Sequence, residues 1–150
     1  MTRESIYAAL FAKFSALTAG GTPLFKTAER KLRHWNDVQP EECPYLGQIQ
    51  VSETPAQQKG LPPKWQLNVS LYVYVNTAAQ LDSAVTPGQL LNPLLDGIEA
   101  ALVPDDADGT SCTLGGLVSH CRIDGTIETA EGLLGNTEVA IVPLQILVPV

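Results

Sequence analysis

Residues 86–128 read TPGQLLNPLLDGIEAALVPDDADGTSCTLGGLVSHCRIDGTIE, and the rest of the chain is arranged around this stretch. Its first half places leucine, isoleucine and alanine side chains at helical spacing, which predicts an amphipathic helix. An acidic loop and a glycine pair follow. The second half alternates apolar and polar residues with a period of two, which predicts a strand. Together these parts form a scaffold, and no catalytic motif lies within it.

The start of the helix is marked twice in the sequence. Thr86-Pro87 and Asn92-Pro93 each place a capping side chain before a proline at the first helical position. A helix running through both would lose a backbone hydrogen bond at the second proline and kink there. We therefore predict a short turn at 88–91 and a main helix over 93–102, which Val103-Pro104 terminates.

The strand at the end of the stretch is predicted over 116–128, with two different faces. One face carries Leu117, Ser119, Cys121, Ile123 and Ile127. The other face carries Val118, His120, Arg122, Asp124 and Glu128. The second set predicts a wet, charged face on a half-buried strand.

The chain before residue 40 is predicted to contain one clear helix and weaker strands. Apolar side chains on one side of 3–17 predict an amphipathic helix, which Gly20-Gly21 stops. One or two short strands are expected within 24–38. The second of them is placed around 30–35.

Three longer strands are predicted in the remaining segments. Strands over 45–53 and 65–75 flank a proline-rich loop at 54–63, so they form a hairpin with a long tip. The apolar end of the chain, 137–150, predicts a central strand with Pro143 at a bulge or an exposed bend.

These elements suggest one architecture. Strands 65–75, 116–128 and 137–150 are expected to pair antiparallel as neighbours. Both helices would then pack on one face of the sheet. The expected fold is α+β: a single domain, residues 1–150, built as a two-layer sandwich of a mainly antiparallel sheet and two helices.

Composition is typical of a globular protein and restricts its partners. The chain has 150 residues, 45% hydrophobic and 17% charged, which is enough to bury a core. No segment is apolar for long enough to span a membrane. The 3 cysteines have irregular spacing and indicate a reducing cytoplasm rather than a disulfide framework. The formal net charge of −7 argues against nucleic-acid phosphates as a main binding partner.

The charge is distributed unevenly along the chain. Residues 1–81 contain eight Lys and Arg against six Asp and Glu, whereas residues 82–150 contain one Arg against ten acids. Four of the basic residues fall close together: Lys26, Arg30, Lys31 and Arg33. Such a cluster is either a solvated strand face or an interface patch that meets acidic groups of a neighbouring chain.

No group of metal-binding or nucleophilic residues is recognisable in the sequence. His120 and Cys121 point to opposite faces of one predicted strand, so they do not readily share an ion with Cys112. We interpret Cys121 as a small core residue. His34 lies on a different element, and no nucleophile motif accompanies either histidine. We expect neither enzymatic activity nor a cofactor.

The glycine pair and the acidic loop each resemble a ligand site only in part. Gly115-Gly116 lacks the lysine and the following helix of a phosphate loop, and we interpret it as a turn. Asp105, Asp106 and Asp108 resemble the start of a calcium loop. However, a glycine occupies the place of the final glutamate of that loop.

The order of motifs along the chain resembles one known family. The segments are FKTAERKLRHWNDVQPEECPYLGQIQ, KWQLNVSLYVYVN, LLNPLLDGIEAALVPDD, TLGGLVSHCRIDGTIETAEGLLG and VAIVPLQILV. In this order they resemble the tail terminator (tail completion) proteins of long-tailed bacteriophages, over about 25–148. The most specific parts are 92–96, 113–116 and the apolar terminal strand.

This resemblance implies a structural protein of the virion neck. Family members are α+β domains that form a ring, typically a homohexamer, on the head-proximal end of the tail tube. The ring terminates polymerisation of the tube protein and provides the docking surface for the head completion (connector) protein. DNA passes through the ring without specific binding, and the family has no cofactor and no reaction. The implied location is the host cytoplasm during assembly and then the virion, without a membrane partner.

A ring is built by head-to-tail contacts, in which one surface of a copy meets a different surface of the next. Candidate ring-interface residues are Lys26, Arg30, Lys31, Arg33, Asp105, Asp106 and Asp108. Reversing the charges of Lys31 and Arg33 together is expected to abolish rings. Candidate residues of the lumen or an assembly face are His120, Arg122, Asp124, Glu128 and Glu131. The excess of acidic groups in the second half of the chain suits a channel through which DNA slides.

Two other classes of function fit the sequence less well. One is a different virion component, such as a head–tail connector or adaptor protein, whose fold and acidity would look similar. The other is a small-molecule-binding domain that uses a pocket between sheet and helices. A terminator differs from both because it binds the end of the tail tube and limits its growth.

Overall fold

The structure is a computed structural model that describes residues 2–79 and 85–149. Its two layers are a pair of α-helices and a mainly antiparallel sheet, which confirms the predicted α+β sandwich. The elements are α1 Arg3–Ser15, β1 Thr18–Ala19, β2 Thr22–Pro23, β3 Thr27–Glu29, β4 Tyr45–Ala56, β5 Lys64–Asn76, α2 Pro87–Ala101, β6 His120–Ile123, β7 Glu128–Leu134 and β8 Thr137–Pro149. Three short 3-10 helices lie at Trp35–Asp37, Pro40–Glu42 and Thr77–Ala79.

Six of the strands form the main sheet, in the order β3-β4-β5-β8-β6, and β7 pairs with β8 beside β6. β8 is central, as predicted, because β5 pairs along one side of it and β6 and β7 share the other side. Its last predicted residue, Val150, lies outside the described residues. All pairs are antiparallel except β3 with β4.

The core lies between the helices and one face of the sheet. α1 contributes Ile6, Tyr7, Leu10 and Phe14, and α2 contributes Leu91, Leu94 and Ile98. Alternate residues of β5 and β8 pack against them: Leu67, Val69, Leu71, Val73, Val75, Ala140, Val142, Leu144, Ile146 and Val148. Burial of these apolar side chains is the main force that holds the two layers together.

The predicted start of α2 is wrong by six residues. The helix begins at Pro87 and runs through Pro93 without a break. Thr86 and Gln89 cap it reciprocally, because each side chain accepts a hydrogen bond from the backbone N–H of the other. A start at Pro93 would leave Leu91 outside the helix, whereas the longer helix buries it. Capping and burial therefore outweigh the single backbone bond lost at Pro93.

The predicted strand over 116–128 is also too long, because the chain turns sharply at both of its ends. Leu114, Gly115 and Gly116 have φ of 52°, 73° and 90°, and Gly125 has φ of 113°, so these residues are not extended. The predicted alternation holds only within β6, where Cys121 faces the helices and His120 and Arg122 face away.

Outside β6 the predicted faces of this strand hold for Asp124 and Glu128, which lie on the side away from the helices, but not for three apolar residues. Leu117 and Ile127, which were expected on the buried face, are among the exposed apolar residues, whereas Val118 is buried. The turns at Gly115-Gly116 and Gly125 reset the alternation, so a single period of two does not extend across them.

Pro143 occupies the place on β8 where β6 ends and β7 has not begun. Its carbonyl accepts a hydrogen bond from the backbone N–H of Asp124, so the missing N–H of the proline faces the same gap. Pairing with β5 continues across Pro143 without a register shift. The proline therefore sits at an interruption of the ladder and not at a bulge.

The predicted second strand around 30–35 is absent from the described sheet, because this segment crosses over the sheet instead of joining it. Its backbone carbonyls bond to tyrosine hydroxyls: Tyr74 Oη donates to Arg33 O at 2.7 Å and Tyr45 Oη donates to Lys31 O at 3.3 Å. Side chains of the sheet thus satisfy backbone groups that a strand would pair.

Candidate assembly surfaces

The sheet face opposite the helices, here called the open face, is only partly covered. Segment 30–44 lies over one end of it, where Val38, Tyr45, Tyr74 and Val139 form a second small core. Beyond that cover the open face presents Ile49, Asn68, Ser70, Tyr72, Ile141, Gln145 and Leu147, all of them partly exposed. The open face is therefore a mixture of apolar, hydroxyl and amide side chains.

Arg33 fastens segment 30–44 onto the open face. Its guanidinium donates to both carboxylate oxygens of Glu42, at 2.9 and 3.0 Å, and to the carbonyl of Asp37 at 2.8 Å. It also lies 5.6 Å from the centre of the Tyr45 ring and 3.4 Å from Glu29. The hydrogen bond from Arg33 lowers the pKa of Glu42. Arg33 thus has partners within its own chain.

The other three basic residues of the cluster differ in their pairing. Arg30 forms a 2.6 Å ion pair with Glu4 of α1. Lys31 lies 4.0 Å from Glu29, and its side chain is 68% exposed. Lys26 is exposed as well. The structure therefore separates two arginines with close internal partners from two lysines whose charges are available to a second molecule.

The acidic loop and the glycine pair form one structural unit, although Asp105 and Gly115 are ten residues apart. Asp105 accepts hydrogen bonds from the N–H and the hydroxyl of Thr113, at 2.5 and 2.7 Å, and from the N–H of Gly115 at 3.0 Å. Asp105 thus fixes the left-handed turn of Leu114 and the two glycines. This confirms that the glycine pair is a turn.

The two remaining acids of the loop differ in whether they have partners inside the chain, as the basic residues do. Asp106 binds the backbone N–H groups of Thr110 and Ser111, at 2.8 and 3.1 Å. Asp108 is exposed, and within the described residues no group donates a hydrogen bond to its carboxylate. Asp108 is therefore the acid of this loop that is best placed to meet a neighbouring chain.

Neutralising Asp105 should release the turn that it holds. We expect Asp105→Asn to increase amide hydrogen exchange at Thr113 and Gly115, because three hydrogen bonds to a carboxylate are weakened or lost. Asp108→Asn is the matched control and should leave exchange unchanged. These hydrogen bonds lower the pKa of Asp105 from 3.8 to about 2. Its contribution to stability is therefore complete above about pH 4 and is lost as pH falls through about 2. Equal exchange in the two variants would contradict this role.

The structure brings together most of the predicted lumen residues on the open face. Arg122 donates to Gln145 Oε1 at 3.2 Å, and Gln145 Nε2 donates to Asp124 at 3.1 Å. Glu128 lies on the same face, opposite Ile141 of β8. Glu131 is the exception, because its carboxylate lies against Gly88 in the first turn of α2. A negative charge is favourable there, at the positive end of the helix dipole.

His120 sits beside this group at the edge of the sheet. Burial, together with nearby Arg122 and Lys64, lowers its pKa, so the imidazole is neutral at pH 7. Cys121, its neighbour in sequence, is buried on the helix side, and burial raises the pKa of the thiol to about 12. The predictions that these two residues face opposite ways and that Cys121 is a core residue are confirmed.

The sequence predicted the β4–β5 hairpin and its long loop. It did not predict that this hairpin exposes apolar side chains. Every residue from 50 to 63 is exposed, and Val51 and Leu61 each show 58% of their surface to solvent. Long exposed hairpins are common sites of contact with another molecule, and these two side chains would add apolar area to such a contact. The only sequence signal for this surface was the placement of these two residues among prolines and polar residues.

Within residues 2–79 and 85–149, no group of three or more His, Cys, Asp or Glu side chains is arranged to hold a metal ion. None of the helices in those ranges is long and apolar enough to cross a membrane. In comparisons with known proteins, no family model matches the chain and no curated protein matches it.

Proposed function

We propose that this protein is a ring-forming tail terminator of a long-tailed phage. In this role it caps the head-proximal end of the tail tube, stops tube polymerisation and receives the head completion protein. The proposal rests on the resemblance of the motif order, and the single structural observation that supports it best is the one-sided sheet. Helices cover one face, while the open face carries partly exposed apolar and amide groups and the hairpin carries exposed apolar ones.

The structure gives the most recognisable motifs a scaffolding role. Residues 92–96 lie in α2, which covers the sheet, and residues 113–116 form the turn that Asp105 fixes. No catalytic grouping is needed to explain either motif. Both are consistent with a protein whose function is to hold surfaces in place for assembly.

The distribution of charge supports a head-to-tail ring. Lys26 and Lys31 lie in the half of the chain with more basic than acidic residues, and Asp108 and Glu128 lie in the strongly acidic half. Opposite charges on different surfaces favour contact between unlike surfaces and disfavour contact between like ones. The acidic excess would also keep DNA phosphates from adhering to the lumen of such a ring.

The direct test is the effect of the protein on tail-tube growth. Tube subunits polymerised with this protein should give tubes of limited length that carry a ring at one end, seen by negative-stain electron microscopy. Growth to the same length with and without the protein would overturn the proposal. A head–tail adaptor, the nearest alternative, would bind the finished neck without limiting tube length.

Charge reversal at Lys31 sharpens this test. Lys31→Glu should weaken ring formation while leaving the fold intact, because the side chain is mostly exposed. Arg33→Glu is unsuitable for that purpose and serves as a contrast. It should lower the melting temperature, because Glu42, Asp37 and Tyr45 would lose their common partner. The double reversal of Lys31 and Arg33 would combine the two effects, so single variants are required.

A further inference from the structure

Strand β4 is paired along one side only for most of its length. β3 pairs with β4 at Tyr45–Gly47 and ends there. From Gln48 to Ala56, β4 has β5 as its neighbour on one side and, within the described residues, no strand on the other. A sheet edge of this length offers backbone hydrogen-bonding groups to an added strand.

The hydrogen bonds around β4 show which of its backbone groups face outward. The carbonyl of Pro44, directly before β4, accepts from the N–H of Lys26 at 2.8 Å and so points toward β3. Backbone groups of alternate residues point the same way in a strand. The C=O of Gln48 and both the N–H and the C=O of Gln50 therefore face outward, on the side where β3 pairs with Tyr45–Gly47 and beyond the end of β3.

There is space beside this edge for another strand. After β3 the chain turns away over the open face, and a cleft of about 490 Å³ remains next to β4. Glu4, Lys31, Leu32, Gln48 and Gln50 are among the residues that line it. Leu32 is 54% exposed there, so the cleft includes an uncovered apolar side chain at its rim.

The other end of the sheet carries a second open edge, on β7. β7 pairs with β8 alone among the described strands. The carbonyl of Pro143 points toward Asp124, so odd-numbered residues of β8 direct their backbone groups to the β6–β7 side. In the antiparallel register Glu128 and Ala130 pair with Ile141 and Val139. Thr129, which lies between them, therefore directs its N–H and C=O outward.

We propose that the open edge of β4 takes the open edge of β7 from a second copy of this chain as an added strand. This inference rests on the proposed ring and specifies its contact. Glu128 accompanies β7, whereas Lys31 lies beside β4, so unlike edges attract. Two β7 edges would instead bring acids together. A contact between two different edges is head-to-tail and closes into a ring when the rotation between copies permits.

Disulfide trapping between single-cysteine variants tests this contact. Gln50 and Thr129 both have outward backbone groups and both direct their side chains to the helix face, since they pair with Val69 and Ala140. In an added strand they would form a hydrogen-bonded pair about 5.5 Å apart at Cα, which a disulfide spans. The variants are Gln50→Cys and Thr129→Cys, each in a Cys43→Ser background, mixed and oxidised with tail-tube subunits present.

The matched control is Ile49→Cys, whose side chain lies on the opposite face of the same strand. We expect the mixture of Gln50→Cys with Thr129→Cys to give at least tenfold more linked dimer than the mixture of Ile49→Cys with Thr129→Cys. Each variant alone should remain unlinked. The two buried cysteines, Cys112 and Cys121, remain in place in all variants.

Each alternative result has a distinct meaning. Linked dimers from Gln50→Cys alone would show pairing of like edges and overturn the head-to-tail contact. Rings on tube ends without the Gln50–Thr129 link would overturn edge pairing and leave the proposed function standing. A specific link without tube capping would support the contact and overturn the terminator function. Absence of both link and capping would overturn both.

Discussion

Replacing Phe14 by alanine should lower the free energy of unfolding by about 3–5 kcal/mol. Phe14 lies near the end of α1, is 0% exposed and packs in the core between helices and sheet. Alanine would leave a cavity that the closely packed neighbours in the core fill only in part, so the loss exceeds the transfer free energy of the ring. Chemical denaturation followed by circular dichroism measures the change.

Phe11 provides the matched control for this prediction. It has the same side chain on the same helix but is partly exposed. Phe11→Ala should cost less than half as much, because part of the ring already contacts water. Equal losses in the two variants would mean that α1 does not dock on the sheet as described. The comparison therefore tests the packing of the two layers and not only the helix itself.

The elements that bury a regular face could be predicted from the sequence. β5 and β8 alternate or run apolar over more than ten residues, and α1 has a continuous apolar side, so periodicity locates all three. For such segments burial decides the structure, and the spacing of apolar side chains in the sequence indicates which face is buried. The fold class followed because these segments define the sheet and the layer that covers it.

The elements that local hydrogen bonds decide were placed less well. The start of α2 depends on a reciprocal cap between Thr86 and Gln89, which competes with a second, equally plausible cap at Asn92. The turn at the beginning of the predicted strand over 116–128 depends on Asp105, which lies eleven positions before residue 116. Such contacts join residues whose proximity no periodic pattern reveals.

The sequence also does not show which candidate assembly residues have partners inside the chain, because no periodic pattern reveals these contacts. Composition marked Arg30, Arg33, Asp105 and Asp106 as charged groups, but it does not show that each has a partner inside the chain. Lys31 is positive like the two arginines and Asp108 is negative like the other two aspartates, and both charges remain available to a neighbouring chain. No residue pattern in the sequence predicts the open edge of β4, because an edge is defined by where a neighbouring strand stops.

Gln50→Pro should abolish or strongly weaken the assembly of copies while leaving each copy folded. Proline removes the backbone N–H that faces outward at this position, and its ring occupies the space of an approaching strand. Pairing with β5 should survive, because the groups that face β5 belong to the neighbouring residues and the ladder already has a register shift after Gln50.

The size of this effect follows from the loss of one hydrogen bond in a desolvated contact. Leaving the facing carbonyl unpaired costs about 1–3 kcal/mol, which weakens each contact by roughly 5-fold to 150-fold. Every copy in a ring contributes one such edge, so the losses accumulate around it. Native mass and negative-stain microscopy with tail-tube subunits report assembly, and far-ultraviolet circular dichroism reports folding.

Gln50→Val is the matched control, because valine keeps the N–H and favours the extended conformation. Thr129→Pro on β7 should cause the same loss as Gln50→Pro, because it removes the outward N–H from the other side of the contact. The two proline variants, mixed together, should form dimers but no rings, because the intact β4 edge of Thr129→Pro can take the intact β7 edge of Gln50→Pro, whereas the other two edges of that dimer are blocked. If Gln50→Pro stays folded and assembles as well as Gln50→Val, then β4 does not receive a strand, and the exposed hairpin and open face become the surfaces through which copies meet.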